Sequence, residues 1–163
     1  MLATDIQLVY DAVLAKNIAS NVHNISEPAT VISRVIDWTE PLPDVFLDPP
    51  PSLIFTSDTI YATQLVTPLL RTLHTASLPA RAPCYVCLER RDPALVDAAL
   101  NEARQVWAFT VSRIPHKKLV QALRRGGVTD EALAAGDWDD LEIWKLTHPR
   151  QTDHAVLPTS TDV

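Results

Sequence analysis

The sequence predicts an α/β protein with a mostly parallel sheet, and three observations carry the prediction. Short apolar runs alternate with longer stretches whose apolar residues recur every three or four positions, so strands and helices take turns along the chain. Four of those runs end in polar or charged residues, at Asp5, Asp37, Ser57-Asp58 and Glu89, which is where open α/β sheets bind ligands. The last two strand-like runs are separated mainly by a short helix and a loop, so one of them is expected to run antiparallel to the rest.

Residues 2–5 read as the tail of a strand that ends in Asp5. Ile6, Val9, Tyr10, Val13, Leu14 and Ile18 follow at spacings of three and four, the pattern of a helix with one face on a sheet. Asn21, His23, Asn24, Ser26 and Pro28 close it. The β-branched run Val31, Ile32, Val35 and Ile36 predicts a second strand, followed by Asp37 and Trp38. Pro41, Pro43 and the block Pro49-Pro50-Pro51 make residues 39–51 a loop. Leu53, Ile54 and Phe55 then form a continuous apolar run, as in a strand buried on both faces, and it ends at Ser57 and Asp58.

A helix over 63–77 carries the chain back across the sheet to a strand at 83–89. One crossover helix joins these two strands, so 53–57 and 84–88 are expected to lie side by side and parallel. The partner of strand 2–5 stays open, either strand 53–57 or none. Asp92-Pro93 starts the next helix, because the carboxylate can cap and proline at the first helical position gives up only an unpartnered donor. Leu95, Val96, Ala99 and Leu100 supply its buried face up to about Gln105. Phe109, Val111 and Ile114 lie in another strand-like run, and Lys117 to Arg125 makes a short basic helix stopped by Gly126-Gly127. Residues 141–146 alternate apolar and charged, which predicts a strand with one wet face. The organisation expected is one domain over 1–147 and a disordered polar tail over 148–163.

Composition narrows the function classes. Lys and Arg number 14 against 20 Asp and Glu, a net charge of −6, so no basic face for a nucleic-acid backbone is expected. No apolar run approaches the roughly 20 residues that cross a bilayer. Two cysteines without a secretory signal fit a reducing compartment, cytoplasm or nucleus. All three glycines, Gly126, Gly127 and Gly136, fall late in the chain, so no phosphate-cradling glycine turn precedes residue 126. Cys84-x-x-Cys87 has metal or redox spacing, but on a strand its side chains point to opposite faces, and no metal site is expected. The basic residues His116, Lys117, Lys118, Arg124 and Arg125 read as a solvated face, or as a docking patch for an acidic substrate protein. Glu89-Arg90-Arg91 reads as an ion pair steadying the helix start at Asp92, or as a substrate contact.

Taken in order, four segments resemble the seven-strand S-adenosylmethionine-dependent methyltransferases, in particular the protein-lysine methyltransferase group (methyltransferase family 16). Ala-Thr-Asp5 with the later Lys-Asn-Ile-Ala-Ser-Asn looks like that group's second strand, its ribose-binding acid and the following helix. Val35-Ile36-Asp37-Trp38 resembles its third-strand ending beside the adenine, and Ser57-Asp58-Thr59-Ile60-Tyr61 its Asp-x-x-Tyr motif after the fourth strand. Tyr85 to Arg91, with Leu-Glu-Arg-Arg, is similar to its fifth strand and turn. The family's first strand and Glu-x-Gly-x-Gly turn have no counterpart here, so the resemblance implies a Rossmann-like methyltransferase sheet lacking its central strand, an amino-terminally truncated form.

The resemblance also implies the chemistry: S-adenosylmethionine-dependent methyl transfer to a protein side chain, most naturally lysine. Asp58 and Tyr61 would be catalytic, orienting the amine and taking its proton. Asp5, Asp37, Trp38 and Ser57 would face the cofactor. Read singly, Asp5 is as well a helix cap, Trp38 a cover for the sheet edge, Asp58 a cap of the next helix and Tyr61 a residue packed on it. The alternative from another class is a non-catalytic interaction module that retains the fold as a binding surface.

Overall fold

The computed structural model describes residues 1–135 and 141–149. In chain order the elements are β1 (Leu2–Asp5), α1 (Gln7–Val9), α2 (Ala15–Asn21), β2 (Ile32–Val35), β3 (Ile54–Ser57), α3 (Thr63–Ser77), β4 (Cys84–Glu89), α4 (Pro93–Gln105), β5 (Thr110–Arg113), α5 (His116–Arg125), α6 (Asp130–Ala135) and β6 (Leu141–Thr147). The strands form a two-stranded sheet, β1-β2, and a four-stranded sheet in the order β3-β4-β6-β5. Each βαβ unit pairs its own strands in parallel. Ile54 to Ser57 lie opposite Cys84 to Cys87, as expected from the single crossover. β6 runs antiparallel to both neighbours. β1 pairs with β2, Leu2 opposite Ile32 through Asp5 opposite Val35, and so takes neither course left open for it. The same rule accounts for this: a short helical crossover brings its two flanking strands together before a distant strand can compete.

The core lies on one face of the larger sheet. Val66, Leu69, Leu70 and Leu73 of α3 and Val96, Ala99, Leu100 and Ala103 of α4 recur at helical spacing and meet Cys84, Val86 and Leu88 of β4 and Leu146 of β6. Burying each of the larger side chains contributes about 1.5–3 kcal/mol. No residue before Val66 is buried.

This corrects the expectation that β3 is covered on both faces. Ile54 and Thr56 turn partly inward, whereas Phe55 is 63% exposed, because α3 and α4 pack on one side and β3 has only β4 as a sheet neighbour among the described residues. The first helical stretch differs too. Tyr10–Leu14 widens to π geometry, and a π turn takes up one more residue than an α turn, so the apolar positions leave a common line. Ile6 and Val13 are exposed, while Val9, Tyr10, Leu14 and Ile18 are half-buried. The amino-terminal unit is tied to the core through Trp38, which packs against it, and through Arg71 of α3, whose Nη2 donates to the carbonyls of Trp38, Thr39 and Glu40 at 2.8, 3.0 and 3.2 Å.

β6 also reverses its expected faces. Glu142 stands opposite Leu88, Trp144 opposite Val86 and Leu146 opposite Cys84, so the acid shares the core face. Its buried carboxylate is satisfied there by Arg90 and Arg113, each at 3.2 Å, and by the Trp144 indole N–H at 2.8 Å. Charged partners arriving from β5 and from the turn after β4 override the alternation.

The helix ends follow local chemistry. The Asp92 carboxylate accepts from the Leu95 N–H at 3.0 Å with Pro93 next in the chain, as expected. Asp92→Ala should lower stability by about 1 kcal/mol, read as a lower urea midpoint at unchanged slope. α5 stops at Gly126-Gly127, where Gly127 takes a φ of 90° that side chains resist. His148, the first residue of the expected tail, is half-buried, its Nε2 2.8 Å from the Ser77 hydroxyl. The expectation for residues 150–163 lies outside the described residues. Among the described residues no helix is long and apolar enough to cross a membrane.

Candidate active site

β3 delivers its last residue, Ser57, to a turn at which Asp58 adopts a φ of 52°. The left-handed region costs a residue with a side chain about 1–2 kcal/mol, and such residues persist where surrounding bonds hold them. Here the Asp58 N–H donates to the Cys87 carbonyl at 2.9 Å, and its Oδ1 accepts from the Glu89 N–H at 3.4 Å. The Thr56 hydroxyl donates to that of Thr59 at 2.8 Å across the same turn. Asp58 therefore bridges the carboxyl ends of β3 and β4 and does not cap α3, which starts after Ala62 without a side-chain cap. Tyr61 is 66% exposed, whereas Ile60 packs on the core.

Together these residues border a hollow of about 150 Å³ lined by Asp58, Ile60, Tyr61, Leu88, Glu89, Arg91, Asp92 and Leu95. Its floor is apolar, and its rim carries three carboxylates and one guanidinium. Arg91 spends its charge on Glu89, with Nε and Nη2 at 2.8 and 2.6 Å from Oε2, and this pairing holds its own pKa above the ordinary arginine value. Arg90 faces away, to Asp97 of α4 at 2.9 Å and to Glu142, the steadying role expected of this tripeptide. An aliphatic floor under an acidic rim suits a lysine side chain, whose stem is apolar and whose amine attracts carboxylates. Leu88, Asp92 and Leu95 were not legible as lining residues from motif matching, although the rule that ligands sit beyond strand ends, applied to β4, points to the same turn.

The remaining candidate residues fall into a second group. Asp5 ends β1; its Oδ1 accepts from the Ile6 N–H at 2.9 Å, and its carbonyl accepts from the Ile36 N–H at 3.0 Å. Asp37 follows β2, and its Oδ1 accepts from the Thr39 hydroxyl at 2.6 Å and the Thr39 N–H at 2.8 Å. Those two bonds, the hydroxyl first, hold its carboxyl below the ordinary range. In both acids Oδ1 carries these bonds. Trp38 covers the core edge, its ring half-buried. Asp5, Asp37 and Trp38 thus cluster at the ends of β1 and β2, and Ser57, Asp58 and Tyr61 at the end of β3. No hydrogen bond joins β1 to β3 among the described residues.

The cysteines do not form a pair. Cys84 is buried towards the Leu73 carbonyl, and burial pushes its thiol up to about 11. Cys87, on the opposite face of β4, has its thiol raised chiefly by burial, with the Ser57 hydroxyl opposing and the Asp58 charge adding to the rise.

Parallel βαβ units with a carboxylate held in strained backbone beyond two parallel strands make this an α/β protein with a candidate ligand site at its strand ends. The family model described as lysine methyltransferase matches residues 1–105, and the chain belongs to that family. The match runs from β1 to the last residue of α4 and takes in every candidate residue named above. No curated protein matches the chain.

Proposed function

We propose that this protein acts in S-adenosylmethionine-dependent methylation of a lysine side chain on a protein, with the hollow beside Asp58 receiving the lysine. The observation that supports the reading is Asp58 itself, fixed by Cys87 and Glu89 at the border of a hollow also lined by Ile60, Leu88 and Leu95. A lysine amine arrives protonated and must lose its proton before it can attack. Asp58 accepts that proton, directly or through water, and the Tyr61 hydroxyl orients the nitrogen. Leu88 and Leu95 keep the stem in place and water out.

The cofactor fits the second group of residues. In Asp5, Oδ2 remains available to a ribose hydroxyl while Oδ1 is engaged, and Asp37 with the half-buried Trp38 ring would flank the adenine, Trp38 as an aromatic wall. Ser57, at the end of β3, would add a cofactor contact from the other sheet. When bound, S-adenosylmethionine supplies an electrophilic methyl group on sulfur. On this reading the protein works in cytoplasm or nucleus.

The second reading is a binding module without catalysis, and the observation it draws on is that β1 and β3 belong to separate sheets. Calorimetric titration with S-adenosylhomocysteine distinguishes the two. Saturable binding that weakens in Asp5→Ala or Asp37→Ala is the expected result. No heat at high ligand concentration overturns the enzyme reading for this chain and leaves the module.

A further inference from the structure

At the other end of β4 from the hollow, two imidazoles meet. His74 of α3 and His148, the residue after β6, have ring centroids 5.1 Å apart with planes at 72°. Phe109 packs on both, at 5.7 Å from His74 and 5.0 Å from His148, and Trp107 lies 5.4 Å from His74. The Ser77 hydroxyl is fully buried and lies 2.8 Å from His148 Nε2. It has one proton, directed to the Leu73 carbonyl at 2.6 Å, so towards the imidazole it must accept, and His148 carries its hydrogen on Nε2. Arg81 donates to the carbonyl of Pro149, the next residue. His148 and Pro149 are thereby fastened to the end of α3.

The charges around this junction share one sign. His74 faces His148 from α3, Arg81 from the turn after it, and from β4 the Cys84 thiol reaches the same Ser77 hydroxyl, kept neutral by burial. On α4, Glu102 directs its Oε1 to the Trp107 indole N–H at 3.2 Å. Among the described residues no ion pair reaches either imidazole. A proton added here finds a second imidazole and a guanidinium, but no carboxylate.

We propose that His148, packed against His74, is a proton-operated latch, which fastens the chain leaving β6 to the end of α3 at neutral pH and lets it go when His148 is protonated. Burial, then His74, then Arg81 hold the His148 imidazole below its ordinary 6.5. The sign follows from linkage: a base whose folded pKa is depressed gives stability that is fully present above the unfolded value and is lost as pH falls below it. The latch is closed above about pH 6.5 and weakens progressively below that.

The test uses the intact chain. Imidazole C–H resonances titrated from pH 8 to 5, assigned with His74→Gln and His148→Gln, should place the His148 midpoint below about 6.5. Tryptic cleavage after Arg150, normalised to a free peptide of the same sequence, should be on the order of tenfold faster at pH 5.5 than at pH 7.5. In His148→Gln, whose side-chain amide still donates to Ser77, that ratio should fall to about one. A His148 midpoint at or above 6.5, or a cleavage ratio unchanged by His148→Gln, overturns the latch. Should the variant fail to fold, the wild-type titration decides alone.

Discussion

Asp58→Asn is expected to reduce lysine methylation by about 10²–10⁴-fold while leaving S-adenosylhomocysteine affinity nearly unchanged. The substitution isolates proton acceptance from architecture. Asparagine tolerates the left-handed backbone at this position at least as well as aspartate, and its carbonyl oxygen can still accept from the Glu89 N–H. It loses the negative charge and the basicity that draw a proton from an incoming ammonium. The matching measurement is single-turnover methylation of a lysine peptide across pH. The wild type should retain rate at lower pH than the variant, whose rate should track the supply of free amine alone. An Asn variant as fast as the wild type would remove Asp58 from the chemistry and leave it a turn residue.

The parts of this fold that were legible in the sequence are those fixed by local physics. α3 and α4 follow from apolar spacing and from the Asp92-Pro93 start, and the parallel pairing of β3 with β4 follows from one crossover helix between them. The amino-terminal third was less legible, because whether Phe55 is covered depends on what lies beyond β3, and alternation along the strand cannot report that. Asp58 was found from its place at a strand end and from the Asp-x-x-Tyr match. Its left-handed backbone was not, since only glycine announces such a turn with any force. Its partners, Cys87 and Glu89, are set by the register between two strands. The inward turn of Glu142 was misread for a related reason. A glutamate between two apolar residues suggests a wet face, and the arginine that reverses this lies 52 residues away.

That arginine makes the second large prediction. Glu142→Ala should destabilise the protein by about 2–3 kcal/mol, somewhat less than the 3–5 kcal/mol expected when a fully buried ion pair loses one member. The Glu142 side chain is only 7% exposed, but Arg90 and Arg113 keep 26% and 49% of theirs and recover some hydration once the carboxylate is gone. Glu142→Gln should cost less, because its carbonyl still accepts from the Trp144 indole. In urea the alanine variant should unfold at a midpoint lower by roughly 1 M or more, with little change in slope. Arg91→Ala is the control from the same tripeptide: its pair with Glu89 is at the surface, 74% and 48% exposed, so its loss should leave the urea midpoint close to that of the wild type. If the two variants melted alike, the ion pairs behind β4 would contribute no more than those at the rim. The orientation of β6, and with it the floor that Leu88 gives the hollow, would then rest on Leu146 and Trp144 packing alone.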